Sequence, residues 1–242
     1  MKPTFCNFRQ HSAEWFAARL GKPTASRFDD LITPEGKPRK GQTPASYRNQ
    51  LVVERLTRNP YGTMLTHAMQ RGTELEPRAR AWYELERDTK VVQVGWCYDE
   101  DAGGTLGRWG CSPDGLVGED GLIEIKCPSL AAVMDALLTG EAPRDHAAQV
   151  QGQLWGTGRA WCDLLIYAPE AEIAPQVFRV ERDDEFIGAL SEIVPEFADS
   201  VDAAETLAID RGCRRGLDVD LSRAAAPDPT ENWGKDGVVI PI

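Results

Sequence analysis

Between Ser112 and Pro128 the chain reads SPDGLVGEDGLIEIKCP, two short apolar runs joined by Gly-Glu-Asp-Gly. Runs of this length bounded by Gly and Asp predict a β-hairpin. With Gly118 to Gly121 as the loop and Asp120-Gly121 supplying the turn, Val117 is expected to oppose Leu122 and Gly115 to oppose Glu124. Asp114 is then a near neighbour of Glu124 across the ladder. Directly opposed residues hold their Cβ atoms roughly 4.5–5.5 Å apart, so the two carboxylates can share one ion. Glu124 and Lys126 are two residues apart and point to the same face. Pro113 has no N–H for the ladder, so a kink there can aim Asp114 into a cleft.

A hairpin that is otherwise Leu, Val and Ile has little use for two carboxylates and an ammonium. Like charges held close in apolar surroundings repel and are poorly solvated. A hard divalent cation with oxygen ligands relieves this, and Mg²⁺ uses one or two carboxylates with waters and substrate phosphate. Beside it, a lysine can position or deprotonate a water that attacks phosphorus. The plainer alternative is an exposed amphipathic strand whose Glu and Lys face water. The D-x9-E-x-K spacing after an S-P-D-G kink favours the site.

Around the hairpin the order is helices, three β-type runs, two helices, two strands and a last helix. Ser12 is placed to cap SAEWFAARL, with Gly21 past its end. Thr24 opens TASRFDDLI, and Thr43-Pro44 caps ASYRNQLVVERLT after a Pro-, Gly- and Lys-rich loop at 33–44. Residues 66–87 have helical periodicity with an expected break near Gly72 and Pro77. KVVQVGWCY, RWGCSPDGLVG and GLIEIKC read as a three-strand meander. Ser129 caps SLAAVMDALL, which stops at Gly140, and PRDHAAQVQGQLWG is a second helix. Strands AWCDLLIYA and QVFRVERD follow, then a long helix from about Asp184 to Ile209, interrupted or restarted at Pro195. This order predicts an α/β fold with a mixed central sheet flanked by helices. The expected organisation is one domain over 1–209, helical to 88 and sheet-containing from 89, with an irregular tail at 210–242. There is no G-x-G-x-x-G and no P-loop, so the usual nucleotide-binding folds lose their support.

The net charge of −11 argues against a polyanionic partner, but its distribution is uneven. Residues 1–60 hold 11 Lys/Arg against 5 Asp/Glu, and the rest holds 16 against 33. A basic third on an acidic body can offer a local positive surface. A solvated lysine-rich loop at GKPRKG explains the charge equally well. The six cysteines form no C-x-x-C pair and read as reduced thiols. No apolar run is long enough to span a membrane, and the first residues lack the apolar core of a signal peptide. A cytoplasmic protein is expected.

Several motifs in one order carry a resemblance to the PD-(D/E)xK nuclease superfamily, and more narrowly to the phage lambda exonuclease and YqaJ-type recombinase nucleases. They are W-x3-R-x-G-x2-TAS from Trp15 to Ser26, RGTELEPRARAWYE at 71–84, CSPDGL, GLIEIKCP, AAQVQGQLW at 147–155, and EIVPEF at 192–197. The resemblance implies a restriction-endonuclease-like core. It implies Asp114, Glu124 and Glu76 as metal ligands, with the Ile125 carbonyl helping, Lys126 as the catalytic lysine, and Gln149 holding the lysine or water. Without the resemblance, Glu76 is an ordinary member of an acid-rich helix that also carries Glu74 and Glu84. Arg19, Ser26 and Ser112 would bind a terminal 5′-phosphate, a role suited to a guanidinium fork and hydroxyls. Their plain alternatives are a surface arginine and two capping serines. The loop with Lys37, Arg39 and Lys40 would line a DNA channel.

The implied activity is Mg²⁺-dependent, with Mn²⁺ as a substitute: one strand of linear duplex DNA is digested 5′ to 3′ from a 5′-phosphorylated end. The 3′ single strand left behind would serve recombination with a single-strand annealing protein. A homotrimeric ring and a phage or prophage origin, with action in the bacterial host cytoplasm, are also implied. The competing expectations are an endonuclease on the same core and a non-catalytic DNA-end-binding protein. An iron–sulfur nuclease is disfavoured because the cysteines lack clustered ligand spacing.

Overall fold

The computed structural model describes residues 2–61, 67–171 and 173–216. The short strand β1 (Pro3–Cys6) precedes helix α1 (Ala13–Arg19), whose first turn is capped by Ser12 Oγ accepting the Trp15 N–H. A 3-10 helix at Ala25–Asp30 follows, and then α2 (Gln42–Thr57) and α3 (His67–Glu86). The β-rich middle comprises β2 (Val91–Val92), β3 (Trp96–Asp99), β4 (Gly110–Cys111), β5 (Gly115–Val117) and β6 (Gly121–Lys126). Helices α4 (Leu130–Thr139) and α5 (Ala147–Thr157), strands β7 (Trp161–Ile166) and β8 (Gln176–Glu181), and helix α6 (Asp184–Asp210) complete the order. No helix among the described residues is long and apolar enough to cross a membrane.

The main sheet runs β2-β5-β6-β7-β8 and is mixed: β6 and β7 are parallel and the other pairs antiparallel. A second sheet, β1-β3-β4, stands beside it. The expected three-strand meander is therefore divided between two sheets: β3 and β4 pair with each other, while β2 pairs with β5. Strand β1 was not legible in the sequence; its four residues gain their order from pairing with Trp96–Asp99.

Side chains of β6 alternate between two environments, as a strand's period of two requires. Ile123 and Ile125 pack with Ala79 and Tyr83 of α3, while Leu122 joins a core with Leu154 and Trp155 of α5. Helix α3 is continuous through Gly72 and Pro77, contrary to the expected break. Burial of Ala79 and Tyr83 against the sheet on one side holds it where local propensity would interrupt it. The same holds for α6, unbroken across Pro195 with Leu190, Val194, Phe197 and Val201 buried along one face. Helix α2 begins at Gln42 with Gly41 as its cap residue, two residues ahead of the expected Thr43-Pro44 start. The predicted 210–242 tail lies largely outside the described residues.

The basic excess of the first 60 residues is partly neutralised inside the fold. Arg55 of α2 reaches Asp202 and Glu205 of α6 at 2.6 and 3.2 Å, and Arg27 pairs with Asp30 at 2.6 Å. Lys37, Arg39 and Lys40 remain exposed.

The hairpin turn is one residue shorter than expected. Val117 pairs with Gly121, Leu116 with Leu122 and Gly115 with Ile123. Gly118 takes the positive φ of 56°, and Gly121 belongs to the strand. The reason is tertiary: the Trp161 ring lies over Gly121, where a Cβ would stand 2.1 Å from its carbons. Arg179 in turn covers Trp161, its guanidinium carbon 3.6 Å from the ring centroid. The glycine that looked like a turn residue is a close-packing residue. Gly121→Ala is expected to destabilise the fold by about 1–3 kcal/mol through overpacking. Urea denaturation checks this, and an unchanged midpoint would contradict the contact.

Candidate active site

The corrected register changes the relation of the two hairpin acids. Continued by one residue, it sets Asp114 beside Glu124 instead of diagonal to it. Asp114 Oδ2 accepts the Ile125 N–H at 2.6 Å, so the bend after Pro113 is pinned to β6. Ile125 engages Asp114 through its N–H, a contact separate from the carbonyl role that the resemblance implies.

Glu124 is 3% exposed, and three donors meet it. Its Oε1 accepts from Gln149 Nε2 at 2.6 Å and faces Lys126 Nζ at 2.8 Å; its Oε2 accepts from Gln153 Nε2 at 2.6 Å. Lys126 also donates to Gln149 Oε1 at 2.8 Å, closing a circuit of lysine, amide and carboxylate. Gln149 and Gln153 are one turn apart on α5 and so present both amides to one carboxylate. Gln153 was not among the expected site residues; its i+4 spacing from Gln149 was the available signal. It is 1% exposed, and its Oε1 is a buried acceptor without a partner.

The acids form one electrostatic group. Burial, then Glu124 and Glu76, push the Asp114 carboxyl well above the ordinary range. Burial raises Glu76 as well; Arg80 opposes this and Glu124 adds to it. Burial works against the Lys126 ammonium, but Glu124 and Asp114 outweigh it and hold the lysine above its ordinary value. Of the acids on α3, Glu74 accepts from Gln70 and Glu84 accepts the Val91 N–H, while Glu76 pairs with Arg80 and feels Glu124 and Lys126. Among the described residues, no three His, Cys, Asp or Glu side chains close on a common point as a ready cage. The donor chemistry nonetheless fits a hard divalent cation: clustered carboxylates, three against the Lys126 ammonium and the Arg80 guanidinium, with lone pairs left beyond those the protein uses.

Arg19, Ser26 and Ser112 also come together. Arg19 Nη1 donates to Ser112 Oγ at 3.0 Å and Nη2 to Ser26 Oγ at 3.3 Å. Trp15 Nε1 donates to the same Ser112 Oγ at 3.0 Å, and its ring lies 4.3 Å from the Arg19 guanidinium carbon. Ser26 Oγ is 3.1 Å from Thr24 Oγ1. Trp15 was not among the expected site residues; its i, i+4 spacing to Arg19 on α1 was the available signal for the stacking. Burial lowers the basicity of Arg19, and no carboxylate pairs with it among the described residues. A charged fork held by two hydroxyls and an aromatic face, without a counter-ion, is suited to an anion. Ser112 is two residues from Asp114, so the cation and the acid cluster share one stretch of backbone.

The mixed sheet, with α3 on one face and α5 on the other, defines a PD-(D/E)xK restriction-endonuclease-like core. Residues 14–160 match the YqaJ-like viral recombinase domain, and the chain belongs to that family. An alkaline exonuclease (LHK-Exo) from Laribacter hongkongensis is similar at 39% identity with a TM-score of 0.72, over 83% of this chain and 97% of its own. Its complex with dAMP gives the same values. A phage related exonuclease from Haemophilus somnus is alike in fold, at 15% identity and a TM-score of 0.51 over 86% of this chain and 98% of its own. Comparison with curated proteins gave no match.

Proposed function

We propose that this chain is a Mg²⁺-dependent exonuclease that digests one strand of linear duplex DNA 5′ to 3′ from a 5′-phosphorylated end. The observation that carries the reading is the pairing of two unlike groups on one backbone stretch. Asp114, Glu124, Glu76 and Lys126 form an acid-rich centre, and Arg19 with Ser26 and Ser112 forms an anion pocket two residues away. An enzyme that starts at ends has use for both; one that cuts internally has no use for the pocket. The 39% identity to an alkaline exonuclease supports the same reaction class.

In this reading Asp114, Glu124 and Glu76, with the Ile125 carbonyl, would hold the cation. When bound, Mg²⁺, or Mn²⁺ in its place, supplies Lewis acidity toward the scissile phosphate. The chain's own groups do the positioning. Gln149 and Gln153 clamp both oxygens of Glu124, Gln149 also orients the Lys126 ammonium, and Lys126 holds the attacking water and offsets charge developing on phosphate. Arg19 and its two serines seat the terminal phosphate, and the exposed Lys37, Arg39 and Lys40 meet the duplex backbone.

The family resemblance extends the proposal to a 3′ single-stranded product used in recombination, an annealing-protein partner, a homotrimeric ring and action in the cytoplasm of a bacterial host. One folded domain over residues 1–209 belongs to the same proposal.

The test is digestion of linear duplex labelled separately at each end, with Mg²⁺ and with EDTA, beside a closed circular duplex. Release of label from the 5′ end alone, only with Mg²⁺ and only from the linear substrate, is expected. Steady cleavage of the circle without prior nicking would instead favour an endonuclease.

A further inference from the structure

Helix α5 touches both halves of the proposed site through different faces. Gln149 and Gln153 meet Glu124 and Lys126. Gly152 lies against the 3-10 helix Ala25–Asp30, which carries Ser26. A Cβ on Gly152 would stand 2.5 Å from Phe28 Cδ2 and 3.2 Å from the Ala25 Cβ. One turn further, a Cβ on Gly156 would stand 2.9 Å from the Sγ of Cys111, the residue before Ser112. Trp155 of α5 also stacks on Trp109 at 3.7 Å between ring centroids, just ahead of β4.

We infer that Gly152 is a positioning residue that sets the distance between the terminal-phosphate pocket and the acid centre, and thereby the preference for 5′-phosphorylated ends. The inference rests on the exonuclease reading above. Its physical basis is which side must yield. Helix α5 is tied on several sides: its amides hold Glu124, and Gln151 donates to the Glu181 carbonyl and accepts the Asp183 N–H. Phe28 is fully buried between Trp109 and Trp155, ring centroids 6.2 and 6.5 Å away, so its ring has nowhere to swing. The 3-10 helix meets α5 through the packing of Ala25 and Phe28, with Ser26 and Asp29 exposed on its outer side; its hydrogen bonds run elsewhere, from Arg27 to Gln50 and from Arg39 to the Asp29 carbonyl. A methyl at 152 therefore moves the segment bearing Ser26 away from α5, while Glu124 and Lys126 stay with their amides. The glycine is not there for backbone freedom, because alanine favours a helix interior by about 1 kcal/mol over glycine. Its role is close approach.

The test compares kcat/KM on linear duplexes with 5′-phosphate and 5′-hydroxyl ends for the wild type, G152A and G152A/F28L. A misplacement near 1 Å can cost about 10²-fold. The ratio of phosphate to hydroxyl ends is expected to fall about tenfold or more in G152A and to recover when Phe28 is trimmed to Leu. A ratio that stays at the wild-type value, or a loss equal on both ends, overturns the inference, since a merely structural defect lowers both substrates alike. Failure of F28L to restore the ratio in a folded double variant also overturns it. If G152A does not fold, G156A asks the same question from the β4 side, against a softer sulfur contact, with a drop of about threefold expected and an unchanged ratio counting against the inference. A wild type with no preference for phosphorylated ends would sink the phosphate-pocket reading itself, a result distinct from failure of the glycine's role.

Discussion

Lys126→Ala is expected to lower duplex digestion by about 10²–10³-fold, the loss typical when one preorganised donor is removed from a developing charge. Lys126 contacts Glu124 Oε1 and Gln149 Oε1, each at 2.8 Å, and with Arg80 on Glu76 it is one of two cations beside the three acids. In the proposed mechanism alanine removes the donor that faces the reacting phosphate, and it removes a charge that offsets Asp114, Glu124 and Glu76. The amides of Gln149 and Gln153 remain on Glu124, so the centre keeps its shape and end binding should persist. Initial rates on 5′-phosphorylated linear duplex, with a gel-shift assay on the same ends, check both parts. Digestion at the wild-type rate would falsify the assignment of Lys126. Loss of binding and folding together would assign the residue a structural role instead.

The second large effect concerns the pocket. Arg19→Ala should reduce the preference for 5′-phosphorylated over 5′-hydroxyl ends by about 10- to 100-fold, the equivalent of one charge-assisted contact of about 1.5–3 kcal/mol. Arg19 carries the pocket's formal charge, while Ser26, Ser112 and the Trp15 ring hold its fork in place. Competition between phosphorylated and dephosphorylated ends in one tube gives the ratio directly. If the variant and the wild type discriminate equally, the anion is bound elsewhere. The two predictions are separable: the lysine variant loses turnover on both kinds of end, and the arginine variant loses the distinction between them.

Part of the candidate site was legible residue by residue. Asp114, Glu124 and Lys126 stood out because charges interrupt an apolar β pattern, and Ser12, Ser129 and Gly140 mark helix ends where the structure has them. The errors have physical causes. Asp120-Gly121 has the composition of a two-residue turn, but Trp161, forty residues on, claims Gly121 for the strand and shortens the loop. Pro77 and Pro195 are helix breakers in isolation, yet both helices run through them because burial along one face outweighs the local cost. Gln153 and Trp15 look like any polar or aromatic helix residue until their partners are known.

The chain's own order of residues determined the kind of chemistry available: carboxylates and a lysine on a stiff hairpin, a basic N-terminal third, and a strand and helix order suited to a mixed sheet. These follow from periodicity, capping and charge, which act over a few residues. Only the tertiary structure decided how the pieces meet. Arg19 reaches Ser112 across 93 positions, and Gln149 reaches Glu124 across 25. Local pattern carries no information at that range. Those contacts exist because α5 packs between the sheet and the segment bearing Ser26, a placement set by shape and burial and made possible by a glycine at 152.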